Sequence, residues 1–149
     1  MLTTNVIRNV QDLANYPGLT DDMIVRFLYK HLDSFGDSAK AIRECLNYIL
    51  SDELGKGGFI LVAKKGDKLV GIVMMIKTGM HNFIPENFLV YAAVNPRYRN
   101  QGIGTKIIIE ALDLAEGDTA LHVQYENPAK SLYEKIGFNT KYAEMRYKK

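Results

Sequence analysis

The stretch that decides the fold is residues 94–105, which read VNPRYRNQGIGT. It joins two apolar segments of different periodicity. Before it, residues 88–94 form a run of apolar and aromatic residues that is typical of a strand buried on both faces. After it, apolar residues recur at helical spacing from Ile108 to Ala115, which predicts a helix that begins near Gly102 and ends at Gly117. The stretch is therefore a strand-to-helix turn.

This turn has the chemistry of an anion-binding site. Gly102 and Gly104 carry no Cβ, so the backbone can turn sharply and a ligand can approach its N–H groups. The first turn of a helix has four unpaired donors and the positive end of the helix dipole, and both stabilise a bound phosphate. Arg97 and Arg99 add positive charge beside it. The alternative is that the two glycines only permit close packing of the strand on the helix.

Two well-known phosphate loops do not match the turn. The dinucleotide fingerprint GxGxxG would need glycine at position 107, where the chain has Ile107, and the P-loop would need a Gly-Lys pair followed by Ser or Thr. The spacing that is present, RxxGxG over residues 99–104, resembles the pyrophosphate-binding motif of the GNAT superfamily of acetyl-CoA-dependent N-acetyltransferases.

Composition sets the class of protein. The chain has 149 residues, 47% of them hydrophobic and 24% charged, which is typical of one globular domain. A net charge of +2 gives no indication of nucleic-acid binding, and no apolar stretch reaches the roughly 18 residues of a membrane span. The single cysteine, Cys45, excludes an internal disulfide and lies among helically spaced apolar residues, which favours a buried side chain over a catalytic thiol. We expect a cytoplasmic protein with no membrane or nucleic-acid partner and no metal.

The remaining segments alternate between strand and helix patterns. Thr20 is a plausible N-cap for one helix, and a second helix is expected to start near Asp37 or Ser38. The predicted strands are residues 5–10, 59–63, 69–76, 88–94, 120–125 and 141–147, with the second and third forming a hairpin. Together with the resemblance, this order predicts a GNAT-like α/β (α+β) fold, in which a mixed, mostly antiparallel sheet has helices on both faces.

A second motif covers residues 127–138, NPAKSLYEKIGF. Asn127 suits the N-cap of a short helix, Pro128 its first position and Gly137 the residue after its last turn. On periodicity alone Tyr133 is a core aromatic on the apolar face. The stretch also resembles the second GNAT motif, in which the asparagine contacts the pantetheine arm of the cofactor and the tyrosine hydroxyl reaches its sulfur.

The resemblance implies a set of site residues. It places acetyl-CoA's pyrophosphate on the backbone after Arg99, its pantetheine arm along the end of the fourth strand, and the oxyanion on a backbone N–H there. Tyr133 would then be the general acid that protonates the leaving thiolate. The cofactor-binding residues expected in this way are Ala92, Ala93, Val94, Arg99, Gln101, Gly102, Ile103, Gly104, Thr105, Asn127, Ala129 and Tyr133.

The general base is less well indicated. GNAT enzymes that use a glutamate often carry it in the middle of the fourth strand, where this chain has Phe88 and Leu89. Glu86 is the nearest carboxylate, and we take it as the candidate catalytic base; the alternative interpretation, which the sequence favours, is a solvated loop residue. The alternatives are a water chain or one of the three histidines, His31, His81 and His122.

The predicted function is acetyl transfer from acetyl-CoA to a primary amine by direct attack in a ternary complex. The acceptor would be a small molecule, a peptide N-terminus or a lysine. Residues 1–149 would form a single N-acetyltransferase domain, with a homodimer formed through the last strand. A non-catalytic acyl-CoA-binding or sensory module is the alternative from another class, and a nucleotide-binding regulator is a third.

Overall fold

The computed structural model describes all 149 residues and contains one five-stranded sheet in the order β1-β2-β3-β4-β5. The strands are β1 (Leu2–Ile7), β2 (Gly58–Lys65), β3 (Lys68–Lys77), β4 (Asn87–Val94) and β5 (Thr119–Leu121). The helices are α1 (Val10–Ala14), α2 (Asp21–Leu32), α3 (Ala39–Leu50), α4 (Ile103–Leu114) and α5 (Ala129–Ile136). Two short 3-10 turns cover Asp33–Phe35 and Pro96–Tyr98. None of these helices combines the length and the apolar composition that a bilayer crossing needs.

The strand pairing confirms the predicted fold class. β1, β2, β3 and β4 pair antiparallel in chain order, and β4 pairs parallel with β5. The parallel pair is reached through α4, which is the kind of crossover that parallel strands require. The sheet is therefore mixed and mostly antiparallel.

Two apolar clusters cover the two faces of this sheet. Neighbouring residues of β2 and β3 alternate between them: Ile60 and Ile72 belong to the first cluster, and Leu61 and Val73 to the second. Helices α2 and α3 close the first cluster, while α4 and α5 close the second. Helices therefore flank both faces, as expected.

The predicted helix starts are confirmed where a capping side chain marks them. The Thr20 hydroxyl accepts a hydrogen bond from Met23 N at 3.1 Å, and the Ser38 hydroxyl accepts one from Ala41 N at 3.1 Å. Each cap satisfies a backbone donor that the first turn leaves unpaired. Cys45 is partly buried against the first cluster, as its helical spacing predicted.

Several predicted boundaries are wrong. The first strand is Leu2–Ile7 rather than 5–10, because Asn9 turns the chain into α1, where its side chain accepts from Asp12 N at 2.8 Å. Helix α4 ends at Leu114 rather than at Gly117. No strand forms over residues 141–147. Tyr142, Met145 and Tyr147 remain exposed there, so no burial offsets the entropy of ordering a strand.

Strand β4 is more irregular than a run of apolar residues suggests. Its buried residues alternate with half-buried ones, so it is not buried uniformly on both faces. Opposite it on β3, Met74 pairs with Tyr91 and Met75 pairs with Leu89, which leaves Val90 as an extra residue. Leu89 and Tyr91 would lie on the same face of a regular strand. Because of the β-bulge they lie on opposite faces, with Leu89 in the second cluster and Tyr91 in the first.

Candidate active site

A cleft opens between β4 and β5 where the bulge interrupts β4. The parallel pairing runs only from Asn87↔Thr119 to Leu89↔Leu121, so β5 is three residues long instead of the six predicted over 120–125. Beyond Leu89, β4 has no partner on this side. The open edge is available to an extended ligand that adds as a further strand.

The direction of the backbone groups on this edge follows from the pairing with β3. Asn95 N–H donates to Val70 O on β3 at 2.9 Å, and because strand residues alternate, Ala93 and Tyr91 also face β3. The N–H and C=O groups of Ala92 and Val94 therefore face the cleft. These are residues that the sequence assigned to the cofactor.

Asn87 holds the closed end of the cleft. It is 4% exposed, and its Nδ2 donates to Glu116 O at 2.7 Å and to Asp118 O at 3.2 Å. Its backbone N–H also donates to Asp118 O at 3.0 Å. The two strands are thus tied together at their starts and diverge beyond Leu89.

The glycine turn closes the other end of the cleft. Asn100 (φ 63°) and Gly102 (φ 77°) both adopt left-handed backbone angles, which direct the chain from β4 into α4. Gly102 occupies the N-cap position and no side chain caps the helix. The N–H groups of Ile103, Gly104 and Thr105 consequently have no intrahelical acceptor and remain free for an anion.

The surroundings of Gly104 show that the turn lies against both β4 and α5. A Cβ added at this position would lie 3.7 Å from Val94 Cγ2 and 3.7 Å from Leu132 Cδ2. Gly104 therefore lies where β4, α4 and α5 meet, and its missing side chain leaves a methyl-sized space there, beside the free N–H groups. The donor set and this space suit a pyrophosphate whose attached chain continues along β4.

Two cations flank the turn. Arg99 Nε donates to Val94 O at 3.3 Å and Arg99 Nη2 to His31 O at 3.4 Å, so the guanidinium connects the end of β4 with the end of α2. Lys65 Nζ donates to the Gln101 side-chain oxygen at 2.6 Å. Sequence reasoning missed Lys65, since it lies on β2 and no local pattern relates it to the turn.

Helix α5 forms the opposite wall. It begins at Ala129, and Pro128 occupies the N-cap position, one residue later than the sequence indicated. Asn127 nevertheless acts as the polar cap, because its Oδ1 accepts from Ala129 N at 2.9 Å. The side-chain nitrogen Nδ2 of Asn127 makes no hydrogen bond within the protein and is free to donate to a ligand.

Tyr133 lies on the inner face of α5. Its side chain packs in the second cluster, with the ring centroid 5.7 Å from that of Phe138 in an edge-on arrangement. The residue is 8% exposed, and its hydroxyl makes no hydrogen bond within the protein. No buried side-chain polar atom lacks a partner, so this hydroxyl is not sealed from solvent. Burial raises the pKa of Tyr133, which keeps the phenol protonated.

Glu86 lies at the closed end of the cleft. Its Oε1 accepts from Asp118 N at 2.9 Å, and this hydrogen bond is the main reason that the pKa of Glu86 is below its usual value. A Cβ on Gly117 would lie 2.7 Å from the same oxygen. The carboxylate is therefore engaged with the turn before β5. Its role as the general base stays a prediction.

The three histidines lie in three different parts of the structure. His122 follows β5 and packs edge-on against Phe88 of β4, with ring centroids 4.8 Å apart, beside the point of divergence. His31 lies at the end of α2, where burial, then Lys30 and Arg99, lower its pKa. His81 lies in the exposed loop before β4.

The single cysteine is not a candidate nucleophile. Burial, then the Asp37 carboxylate, raise the pKa of Cys45 to about 12, so its thiol stays protonated.

Comparison with known proteins agrees with this geometry. Residues 56–140 match the sequence profile of the acetyltransferase (GNAT) domain. Over 100 residues the chain is 31% identical to the cysteine-rich protein 2-binding protein of Mus musculus and 30% identical to that of Homo sapiens. The match covers 66% of this chain but only 11% of each relative's length.

Solved structures show the same fold. A possible acetyltransferase from Clostridium difficile 630 superposes with a TM-score of 0.67 at 21% identity, covering 99% of this chain and 97% of that one. A GNAT family acetyltransferase from Streptococcus pneumoniae TIGR4 gives 0.67 at 20% identity, covering 100% and 98%. The ribosomal-protein-alanine N-acetyltransferase of Brucella melitensis gives 0.63 at 17%, covering 99% of each chain. These structures show the fold, and the profile match over residues 56–140 shows that the chain belongs to the GNAT acetyltransferase family.

Proposed function

We propose that the protein transfers the acetyl group of acetyl-CoA to a primary amine by direct attack within a ternary complex. The observation that carries the proposal is the open edge of β4, which leads directly to the uncapped start of α4. An extended arm can pair with the edge while a pyrophosphate occupies the free N–H groups. Acetyl-CoA combines both parts in one molecule.

The roles of the binding residues follow from their positions. The backbone of Gln101, Gly102, Ile103, Gly104 and Thr105, together with Arg99, holds the pyrophosphate. The cleft-facing N–H and C=O of Ala92 and the N–H of Val94 pair with the pantetheine arm, while Val94 O accepts from Arg99. Ala93 keeps the strand paired to β3, and Asn127 and Ala129 contact the arm from α5. A backbone N–H on the β4 edge stabilises the oxyanion that develops at the thioester carbonyl.

The chemical step needs one proton donor and one proton acceptor. The amine nitrogen bonds to the thioester carbonyl carbon, the C–S bond breaks, and Tyr133 Oη donates its proton to the departing thiolate. The ammonium proton leaves to a base, for which Glu86 is the predicted residue. His122 and a water chain are the alternatives, and His122 lies beside the point where the strands diverge.

The acceptor class is proposed as a small-molecule amine, a peptide N-terminus or a lysine. Two structural neighbours are named for amine substrates: the Brucella ribosomal-protein-alanine N-acetyltransferase and a metagenomic aminoglycoside acetyltransferase. We further propose that residues 1–149 form one catalytic domain that works in the cytoplasm without a membrane or nucleic-acid partner. A homodimer stays a proposal, although the last strand expected to form it is absent.

Isothermal titration with acetyl-CoA tests the cofactor, with ATP, NAD and CoA lacking the 3′-phosphate as comparators. We expect micromolar binding of acetyl-CoA and much weaker binding of ATP and NAD. No binding of acetyl-CoA, or a preference for ATP or NAD, would overturn the assignment.

A non-catalytic acyl-CoA-binding or sensory module is the second candidate, because Glu86 is engaged with Asp118 rather than free in the cleft. An amine panel with thiol detection separates the two functions once binding is established. Release of CoA that requires an added amine supports the enzyme. Binding without release across amines, peptides and lysine-bearing proteins supports the module.

A further inference from the structure

A cavity of about 650 Å³ lies beside the glycine turn but outside the residues assigned to acetyl-CoA. It is formed by the end of α2, the start of β3 and the 3-10 turn that follows β4. It is open to solvent, and its cationic residues Lys30, Lys68 and Arg97 are exposed. We call it the basic cavity, after its basic lining residues Lys30, His31, Lys68 and Arg97.

The charge of the basic cavity has one sign. No aspartate or glutamate lines it, and Lys30, Lys68 and Arg97 take part in none of the six ion pairs of the protein. The acidic residues nearest along the chain, Asp33 and Asp67, are not part of its lining. A concave surface lined by one sign of charge concentrates the field and attracts a counter-ion.

Other groups around the basic cavity reinforce this preference. Asn95 contributes a polar side chain to the wall. Lys30 and Arg99 also lower the pKa of His31, after burial as the largest cause, so the field felt at the cavity is positive. Repulsion among cations held together is relieved when an anion binds between them.

The basic cavity shares a wall with the glycine turn. Arg99, which flanks the turn, donates to the carbonyl of His31, and Pro96, Arg97 and Tyr98 of the cavity precede Arg99 directly. A phosphate in the cavity would therefore lie near one bound at the turn without using the same donors.

We propose that the basic cavity is a second phosphate site, which binds the phosphate monoester of a small molecule through Lys30, Lys68 and Arg97. Two sources share this chemistry: the 3′-phosphate of a CoA molecule bound at the turn, and a separate phosphate ester. The first source rests on the proposed function and the second does not.

The test compares wild type with the triple variant Lys30→Gln/Lys68→Gln/Arg97→Gln. A variant with Lys40→Gln, Lys141→Gln and Lys148→Gln loses the same charge at exposed positions away from the cavity and serves as the control. Two measurements are made at constant ionic strength. One is the ratio of dissociation constants for 3′-dephospho-acetyl-CoA and acetyl-CoA. The other is the shift of amide NMR signals around Lys68 and Asn95 during titration with inorganic phosphate.

In the first outcome, wild type binds acetyl-CoA about tenfold more tightly than 3′-dephospho-acetyl-CoA, which is the size of one charge-assisted hydrogen bond. If the triple variant loses this difference and the control keeps it, the site binds the 3′-phosphate of the cofactor. In the second outcome, wild type binds the two CoA compounds equally, and inorganic phosphate shifts the amide signals of wild type and control but not those of the triple variant. The site then binds a separate phosphate ester. If neither quantity depends on the three cations, the proposal is wrong.

The two proposals fail separately. If acetyl-CoA does not bind at all, the proposed function fails, while the phosphate titration still decides the basic cavity. Should the triple variant not fold, the three single variants replace it, and each is expected to lose part of the phosphate response.

Discussion

At the scale of single residues, Tyr133 carries the proton chemistry of the proposed mechanism. Tyr133→Phe removes the hydroxyl and keeps the ring that packs against Phe138. We expect kcat to fall by roughly ten- to a thousandfold with little change in acetyl-CoA affinity, since the proton is needed only as the thiolate leaves. Because burial raises the pKa of Tyr133, its deprotonation should impose no alkaline fall near neutral pH. Tyr142→Phe, at an exposed tyrosine, is the control, and equal kcat for the two variants would remove Tyr133 from the mechanism.

Substitutions at the two glycines of the turn should have different effects, on acetyl-CoA binding at Gly104 and on stability at Gly102. A Cβ at Gly104 meets only ordinary contacts, so Gly104→Ala should fold normally yet bind acetyl-CoA more weakly. The bulkier Gly104→Val should abolish binding. Gly102→Ala should lose about 1–2 kcal/mol of stability, because its φ of 77° is unfavourable for residues with a Cβ. Titration calorimetry and urea unfolding measure the two effects. Gly18→Ala, in open space at ordinary φ, is the control for both, and normal acetyl-CoA affinity of Gly104→Val would contradict this role.

At the scale of elements, sequence reasoning succeeded where a local side chain marks a boundary and failed where a partner strand does. Thr20 and Ser38 could be recognised as caps because each bonds to its own helix. The β-bulge at Val90 could not, since its neighbours are apolar on both sides and only the pairing with β3 reveals it. The pairing of β5 ends at Leu89, next to the bulge, so the position of the cleft depends on strand pairing that no local sequence pattern reveals. Lys65 was missed for the same reason.

Asn87 should be the main polar determinant of how β4 and β5 are joined. Asn87→Ala leaves Glu116 O and Asp118 O without their side-chain donor at a buried position, and we expect a loss of about 1–3 kcal/mol in the free energy of unfolding. Urea unfolding measures it. Asn127→Ala is the comparison variant, because it removes a capping side chain from α5 without affecting the pairing of β4 with β5. A change below the error of the measurement for Asn87→Ala would mean that apolar packing alone holds the strands together.

Glu86 lies on the same element boundary and can be tested by pH. The hydrogen bond from Asp118 N lowers its pKa, so the carboxylate stays ionised to a lower pH than an ordinary glutamate. If Glu86 is the base, Glu86→Gln should reduce kcat/KM strongly and remove an acidic limb that lies below the usual glutamate pKa. If it only secures the turn, the acidic limb should be unchanged, because the glutamine oxygen can still accept from Asp118 N. His122→Gln, measured in the same way, tests the alternative base: a large loss of kcat/KM in this variant but not in Glu86→Gln would assign the role to His122.

At the scale of the whole molecule, the two apolar clusters are separated by a single sheet rather than by a linker. Strands β2 and β3 supply residues to both clusters. Loss of packing in one cluster would therefore also disturb the strands that form the other. The cofactor cleft opens between β4, which supplies residues to both clusters, and β5, which packs against the second. Binding there is consequently coupled to the stability of the entire fold rather than to one loop.

This coupling predicts one cooperative thermal transition for residues 1–149, with equal calorimetric and van't Hoff enthalpies. Acetyl-CoA at a hundredfold excess over its Kd should add about 2.7 kcal/mol of stability, which raises Tm by roughly 5–10 °C for a domain of this length. ATP and NAD at the same concentration should leave Tm nearly unchanged, and Gly104→Val should show the wild-type transition without the response to acetyl-CoA. Scanning calorimetry measures all of these. Two separable transitions, or a shift of only one part of the heat absorption, would contradict the single-domain proposal even if acetyl-CoA binds.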